Sequence, residues 1–315
     1  MQEIYNNKHT NTSDDEIDLN ELFHVLFKRK WIIVSVTAFV SIIGVVYSLY
    51  LPNIYQSRAL LTPTSSSGSI SSALQSYSAI AGIAGVNLPN NGDDNNSKKA
   101  IAKISSLSFF ESDILPNIFI PDLLALNSWD SVTNSLIYDE NIYDKDSNTW
   151  VKGSFNSQKK IPSAQDSFRA FTRSNLSVRE DNKTGFVTIS IKHQSPFVAK
   201  KWTELVVNQI NSFYRQKDKV ESEKAISFLN QKIATTNLSE VKQTIAELLQ
   251  KETQKLALIE ANEFYVFDYI DSPAVMETKS EPKRALICIL FTVLGGMLSI
   301  LIVFLKHYFF NEKAT

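Results

Sequence analysis

The chain has 315 residues, of which 43% are hydrophobic and 21% are charged, and its formal net charge is −1 at pH 7. A nearly neutral chain has no overall field that would attract nucleic acid or an acidic polymer, which excludes functions built on such attraction. It has one cysteine, Cys288, so no disulfide can form within the chain.

Two apolar stretches without a charged residue lie near the two ends, Trp31–Leu51 and Ala285–Leu305. A helix of about 21 residues spans roughly 32 Å, enough to cross a hydrocarbon core of about 30 Å. A cleaved signal peptide and a buried core helix are the alternatives, but no small-residue cleavage site follows the first stretch and the second has no polar face. The predicted domains are a tail at 1–30, a transmembrane helix at 31–51, an insert at 52–284, a transmembrane helix at 285–305 and a tail at 306–315.

The basic residues next to the first apolar stretch predict its orientation. Lys28, Arg29 and Lys30 precede it, and the next basic residue after it is Arg58. The positive-inside rule therefore places the N-terminal tail in the cytoplasm. With two crossings, the C-terminal tail is also cytoplasmic and the insert lies on the opposite side of the membrane.

Short elements are predicted on both sides of a Ser-, Gly- and Asn-rich segment. An amphipathic helix at Asp14–Lys30 is predicted to lie on the cytoplasmic face and lead into the membrane, and a plain continuation of the membrane helix is the alternative. A strand at Ile54–Leu61 follows the first span, and a helical stripe runs through Ile70–Ala81. Helical spacing continues over Lys98–Asp113, and a polar loop is predicted at Asn141–Lys160.

The later part of the insert predicts a β-hairpin followed by two long helices. Alternating residues mark strands at Asn175–Arg179 and Phe186–Lys192, joined by a turn at Thr184-Gly185. No Pro or Gly interrupts Phe197–Ala234, which predicts a helix of roughly 57 Å. A second helix over Leu238–Glu260, capped by Asn237, would return antiparallel to it. A last strand, Phe264–Ile270, leads back towards the second span.

These elements predict an α/β domain with a small membrane-proximal sheet and a long extended helical hairpin, flanked by two transmembrane helices. The alternative is that the second helix folds back as a core helix. Large apolar residues on the long helices predict packing between copies of the chain. The candidate residues for this packing are Trp202, Val206, Phe213 and Leu229.

Small residues in the apolar stretches predict close helix packing in lipid, because they let two backbones approach. Glycine is also common in membrane helices without such a role. The candidate residues are Gly44, Ser48, Gly295, Gly296 and Ser299.

No catalytic, cofactor-binding or metal-binding constellation is predicted. The four histidines do not pair at metal-ligand spacing, and Gly82-Ile83-Ala84-Gly85 lacks the Lys-Ser/Thr of a phosphate loop. His193 is expected to be a surface residue at a strand end. A structural or regulatory role follows, and an enzyme acting on glycan is the remaining alternative.

Several motifs, in this order along the chain, resemble the Wzz-type polysaccharide co-polymerases, the O-antigen chain-length determinant family. Glu16-Ile17-Asp18-Leu19 precedes the first span, and Leu51-Pro52-Asn53-Ile54-Tyr55 follows it. Pro282-Lys283-Arg284-Ala285-Leu286 precedes the second span, which contains Gly295-Gly296. The membrane-junction residues of this resemblance are Pro52, Tyr55, Pro273, Pro282 and Arg284.

The resemblance implies an inner-membrane protein of Gram-negative bacteria with a periplasmic insert. It implies a ring-like homo-oligomer that works with a membrane-embedded polymerase on a lipid-linked glycan and sets the modal length of O-antigen. It implies no cofactor and no bond-forming chemistry.

A second hypothesis is a co-polymerase for capsule, exopolysaccharide or common-antigen assembly and export. Related co-polymerases carry a tyrosine kinase after the second span, where only about ten residues follow here. A separately encoded kinase would then be the partner.

Overall fold

The computed structural model describes residues 25–64, 94–151 and 161–311. The first part of the predicted helix at Asp14–Lys30 and the helical stripe at Ile70–Ala81 lie outside these residues. The described chain forms two units, one of residues 53–280 and one of residues 25–52 with 281–311.

The second of these units is a pair of apolar helices, α1 (Lys30–Tyr50) and α7 (Arg284–Asn311). Lys30–Tyr50 and Arg284–Lys306 are each long and apolar enough to cross a membrane. Helix α1 begins one residue before the predicted span, and α7 extends beyond the predicted end at Leu305. A cis peptide bond joins Glu281 and Pro282 just before α7.

The other unit is built around a four-stranded antiparallel sheet in the order β6-β7-β1-β8. Its strands are β1 (Tyr55–Pro63), β6 (Leu176–Glu180), β7 (Val187–His193) and β8 (Phe267–Asp271). All four match predicted strands within a few residues. The sheet thus contains the strand that follows the first apolar helix in sequence and the strand that precedes the second.

A hairpin of two long helices completes the α/β architecture. Helix α5 (Pro196–Thr235) and helix α6 (Ser239–Ala261) pack against each other. Pro196 stands at the first helical position, where a missing N–H costs nothing. The N-cap of α6 is Leu238, without a side-chain hydrogen bond, so the prediction of Asn237 as the cap is wrong. The helix begins one residue later than predicted, which moves Asn237 out of bonding position.

The hydrophobic core lies between one face of the sheet and the first half of α5. Alternate residues of β1 and β7 are fully buried, among them Ala59, Leu61, Ile189 and Ile191. After Asn211, the only fully buried residue of α5 is Ser222. The hairpin therefore has a buried base and a long part in which the two helices contact mainly each other.

Smaller elements cover one end of this core. They are α2 (Asp94–Ile104), helical turns over residues 107–117, α3 (Ile120–Leu124) and α4 (Ala164–Ala170). Helical spacing predicts one helix through Asp113, but α2 ends at Ile104. Ser106 caps a separate turn there, since its hydroxyl accepts from the Phe109 N–H at 3.3 Å.

Two small β-hairpins lie between α3 and α4. Strands β2 (Leu126–Asp130) and β3 (Ser135–Tyr138) form the first, and β4 (Tyr143–Asp144) and β5 (Thr149–Trp150) form the second. The prediction of a loop at Asn141–Lys160 is therefore wrong for residues 143–150. The segment from Asp122 to Val151, which contains both hairpins, is called the acidic lobe below.

Candidate functional site

The two apolar helices contact each other at glycine residues, one on each helix. A side chain on Gly44 would place its Cβ 2.5 Å from Cβ of Phe291. A side chain on Gly295 would place its Cβ 2.9 Å from Cβ of Val40. Real atoms do not approach this closely, so both positions need glycine for the observed packing.

Hydroxyl groups link the same two helices. The hydroxyls of Ser41 and Thr292 lie 3.0 Å apart, and Thr37 donates to Ser299 at 3.4 Å. Ser299 is fully buried and also donates to the Gly296 carbonyl at 2.7 Å. Ser48 is buried, and its hydroxyl has no partner among the described residues. Small and hydroxyl side chains thus form a continuous contact within the pair.

Gly296 differs from its neighbour Gly295. A Cβ added at Gly296 meets nothing within 4 Å among the described residues. The structure therefore brings Gly44, Gly295 and Ser299 into the contact between α1 and α7, buries Ser48 on α1, and leaves Gly296 out of the contact.

The candidate packing residues of the hairpin fall into two groups. Trp202 is 2% exposed and Val206 is fully buried, both in the core of their own chain. The expectation that these two side chains pack against a second copy needs correction, because they have no surface to offer. Phe213 is partly buried against the same core, and Leu229 is half-buried. The amphipathic pattern alone does not distinguish packing inside a chain from packing between chains.

The segment after β8 returns along the start of β1. Ser57 donates to the Ala274 carbonyl at 2.9 Å, and Ser280 bonds the Ile54 carbonyl through its N–H at 2.8 Å. Pro273 is buried, whereas Pro52 is exposed. Tyr55, the first residue of β1, packs edge-to-face on Trp129 at 5.5 Å.

His193 is only 4% exposed, so the prediction of a surface residue is wrong, although it does end a strand. Its Nδ1 accepts from the Ser195 N–H at 3.0 Å, and its Nε2 lies 3.1 Å from the Asp122 carbonyl oxygen. The ring therefore carries its proton on Nε2 and is neutral. Burial lowers the pKa of His193 to about 4.

Asp122 joins the same cluster through its side chain. Tyr138 donates to Asp122 Oδ1 at 2.6 Å. Burial raises the pKa of the Asp122 carboxyl, and burial together with this carboxylate holds the pKa of Tyr138 well above its usual value. The cluster ties the acidic lobe to the end of β7 and the start of α5.

Asn211 is a buried polar side chain on the apolar face of α5. Its Oδ1 accepts from the N–H groups of Val266 and Phe267 at 2.7 and 2.9 Å, and its Nδ2 donates to the Phe267 carbonyl at 2.9 Å. One amide thereby fixes β8 to the helix. A polar residue on the apolar stripe of a helix, as Asn211 is next to Ile210 and three residues before Tyr214, is the sequence signal for a buried side chain that bonds the backbone of another element.

The two hairpins of the acidic lobe have turns of the same type. The sequences Asp130-Ser-Val-Thr-Asn-Ser and Asp144-Lys-Asp-Ser-Asn-Thr share Asp, hydroxyl, Asn and hydroxyl at matching positions. Each Asp accepts the N–H two residues on, and each Asn has positive φ, 49° at Asn134 and 53° at Asn148. This repeat is a sequence signal that could have identified both hairpins.

A groove of about 570 Å³ lies on the acidic lobe, lined by β3 and by the turn that follows β4. Glu140 and Asp146 line it and are exposed. Turn hydrogen bonds from Ser147 and Asp146 lower the pKa of Asp144, so it is ionised near neutral pH. Within the described residues, no three His, Cys, Asp or Glu side chains are grouped to hold a metal ion.

Two protein families match the chain. The family described as "Wzz: Chain length determinant protein" matches residues 15–109, which include α1 and β1. The family described as "GNVR: G-rich domain on putative tyrosine kinase" matches residues 235–308, which include α6, β8 and most of α7. Among curated proteins, none matches the chain significantly.

Solved structures of co-polymerases align at low identity. A "full-length bacterial polysaccharide co-polymerase" is 14% identical with a TM-score of 0.42, over 95% of this chain and 100% of its own. A fragment of WzzB from Salmonella Typhimurium is 14% identical with a TM-score of 0.31, over 73% and 100%. A mutant of the Shigella flexneri lipopolysaccharide O-antigen chain-length regulator is 11% identical with a TM-score of 0.23, over 72% and 100%.

The two family matches lie at the two ends of the chain and include the strands and apolar helices on which the sequence resemblance rests. The match at residues 15–109 confirms the resemblance to the Wzz-type polysaccharide co-polymerases over that part of the chain.

Proposed function

We propose that this chain sets the modal length of O-antigen in lipopolysaccharide biosynthesis, as a homo-oligomer acting with the membrane-embedded polymerase. The observation that carries the proposal is the chain length determinant match at residues 15–109. In this role the chain forms no glycosidic bond and needs no cofactor. It acts on the polymerase, on the lipid-linked glycan, or on both, by contact.

The architecture suits a role by contact. The pair of apolar helices keeps Gly296 outside its internal packing, which leaves a notch on α7 that another membrane helix can enter. The hairpin extends well beyond the core, with Phe228 56% exposed and Leu248 47% exposed. We assign Gly296 to contact with another copy or the polymerase, and the region around Leu229 to contact between copies.

The proposed location is the bacterial inner membrane, with both termini cytoplasmic and residues 52–284 periplasmic. Lys28, Arg29 and Lys30 support this orientation. Reporter fusions test it. Alkaline phosphatase inserted in an exposed turn such as Lys183 should be active and a fusion after Thr315 inactive, and the reverse pattern would overturn the topology.

A second candidate function is supported by the GNVR match at residues 235–308. That family is described as a domain on putative tyrosine kinases, which agrees with a co-polymerase for capsule or exopolysaccharide. A separately encoded kinase would then be the partner.

The experiment that separates the two functions compares polysaccharides from the host with the gene present, deleted and restored. Deletion should turn a clustered lipopolysaccharide ladder into a broad distribution, and restoration should return the cluster. An unchanged ladder together with an altered capsule or secreted polysaccharide would contradict the O-antigen proposal and support the second candidate.

A further inference from the structure

A polar cavity of about 310 Å³ lies between α5 and the link that joins α6 to β8, residues 262–266. On α5 it is lined by Asn208, Ser212 and Arg215, which follow one another at steps of four and three residues and therefore share one side of the helix. On the link it is lined by Glu263 and Phe264. This cavity is called the hairpin-base pocket below.

Hydrogen bonds hold the two walls of the hairpin-base pocket in place. Asn211, which also lines the pocket, accepts from the Tyr265 N–H at 3.2 Å in addition to its bonds to β8. The Tyr265 hydroxyl donates to Asp218 Oδ2 at 2.6 Å, seven residues further along α5. The link is thus fixed to α5 at two places. Because neither wall has to be ordered when a ligand enters, less free energy is lost on binding.

Apart from the amide just described, the polar side chains that line the hairpin-base pocket take no part in holding the fold together. Arg215 and Glu263 line the same cavity, yet neither forms an ion pair among the described residues. Arg215 is unpaired although it is partly buried. The side chains of Asn208, Gln209 and Ser212 also make no hydrogen bond within the described part of the chain. Their donors and acceptors are therefore available to a ligand.

The chemistry of the lining favours a neutral, hydroxylated ligand. One guanidinium and one carboxylate give no net charge, whereas phosphate is bound by an excess of basic groups and Ca²⁺ by several oxygen ligands. Amides donate and accept, a guanidinium donates and a carboxylate accepts, and each of these planar groups can contact two adjacent hydroxyls. Neighbouring hydroxyls of a sugar ring also donate and accept. The volume is at the small end of the usual range for ligand sites, about 300–1,000 Å³, which suits a single ring.

We propose that the hairpin-base pocket binds one neutral sugar residue of the glycan on which this chain acts. Arg215 donates to hydroxyls of the ring, Glu263 accepts from them, and the amides of Asn208 and Gln209 do both. The partly exposed ring of Phe264 offers apolar surface to the C–H groups of the sugar. This inference rests on the proposed function, which supplies the glycan, and it assigns that glycan a site on the chain.

The test measures binding of polysaccharide, released from the lipopolysaccharide of the host by mild acid, to full-length protein in detergent micelles. Saturation-transfer NMR and titration calorimetry are the readouts. Arg215→Met with Glu263→Gln removes one charge of each sign from the pocket and should weaken binding roughly tenfold or more, because charge-assisted hydrogen bonds are lost. The matched control, Lys217→Met with Glu221→Gln, also removes one charge of each sign, at an exposed ion pair outside the pocket, and should bind as wild type.

A second variant fills the pocket without removing a charge. Ser212 is exposed, so Ser212→Phe should leave the fold intact, which an unchanged thermal melt verifies, and its ring should block the sugar. Competition identifies the class of ligand. Neutral monosaccharides present in the polysaccharide should displace it, and glucuronic acid should displace it less well. The same titrations with capsular and secreted polysaccharide of the host show which polymer supplies the sugar.

The outcomes separate this inference from the proposed function. If the pocket variants bind like wild type, or if wild-type protein binds none of the polysaccharides, the pocket is not a sugar site, while a lipopolysaccharide ladder that broadens on gene deletion still supports the proposed function. If the pocket variants lose binding to capsular or secreted polysaccharide and deletion leaves the ladder unchanged, the pocket stands and the O-antigen proposal fails. If glucuronic acid competes better than every neutral sugar, the assignment of a neutral ligand is wrong.

Discussion

The two units of this protein are stabilised by residues of opposite size. The pair of apolar helices depends on its smallest residues, since Gly44 and Gly295 allow contacts that any Cβ would block. The sheet domain depends on its largest, with Trp202, Phe109 and Phe267 at most 2% exposed.

The difference follows from the solvent. In water, burial of apolar surface stabilises a fold in proportion to area, so large side chains contribute most. Lipid tails are as apolar as leucine, and helices in lipid gain instead from close packing and hydrogen bonds. The sizes of the contact residues therefore agree with the proposed membrane location of the helix pair and with a sheet domain in water.

The largest expected effect is at Trp202, which packs against Phe171 at 5.9 Å and His193 at 5.1 Å between ring centroids. Trp202→Ala should destabilise the sheet domain by about 3–5 kcal/mol through lost burial and a residual cavity. Urea unfolding followed by near-UV circular dichroism measures this. Phe228→Ala, at a side chain 56% exposed, is the control and should cost less than about 1 kcal/mol.

The next effect is a pH dependence centred on His193. The pKa of His193 is lowered from 6.5 to about 4 in the folded chain. Between these pH values the imidazole is protonated in the unfolded chain and neutral in the folded chain. The free energy of unfolding should therefore fall as pH drops from about 6.5 to about 4, by up to about 3 kcal/mol. Above about 6.5 this contribution is constant.

Unfolding measured between pH 5 and 7 reports mainly on His193, because most carboxylates titrate lower. Asp122, whose pKa is raised by burial, would contribute with the opposite sign, so the comparison with a His193 variant assigns the dependence. His193→Gln should flatten the profile over that range. An equally steep profile in the variant would assign the dependence to other groups.

A smaller effect distinguishes the adjacent glycines of α7. Gly295→Leu should separate the helix pair, with a cost of about 1–2 kcal/mol, because its Cβ would overlap Val40. Gly296→Leu should leave the pair intact. The readout is disulfide formation between Ser41→Cys and Thr292→Cys in a Cys288→Ser background, scored after protease cleavage between the helices. Equal loss of the crosslink in both variants would contradict the structure.

The smallest effect is expected from the hydroxyl pair of the same helices. Ser41→Ala removes the partner of Thr292 and should weaken the helix pair by about 0.6 kcal/mol. A steric-trap or denaturing-detergent titration in micelles measures it, with Ser35→Ala as a control at a position for which no such interhelical bond is observed among the described residues. A loss above about 2 kcal/mol would show that hydrogen bonding, rather than close packing, dominates this contact.

Much of the fold follows from local pattern. Alternation predicts β6 and β7 within a residue or two, and an uninterrupted helical stripe predicts α5 within one residue at each end. Side-chain alternation could not predict the strands of the acidic lobe, because they have only two to five residues and are held by Asx turns. The role of His193 was hidden too, since Asp122 is 71 residues away in sequence.

The sequence by itself determined the two apolar helices, the strands, the long hairpin and the family resemblance. These depend on runs and periods of side chains that are read locally, residue after residue. Only the tertiary structure decided which small residue faces the neighbouring helix, that Trp202 belongs to the core of its own chain, and that His193 is buried against the Asp122 carbonyl. Those properties depend on which distant residues share a surface, and chain folding alone brings them together.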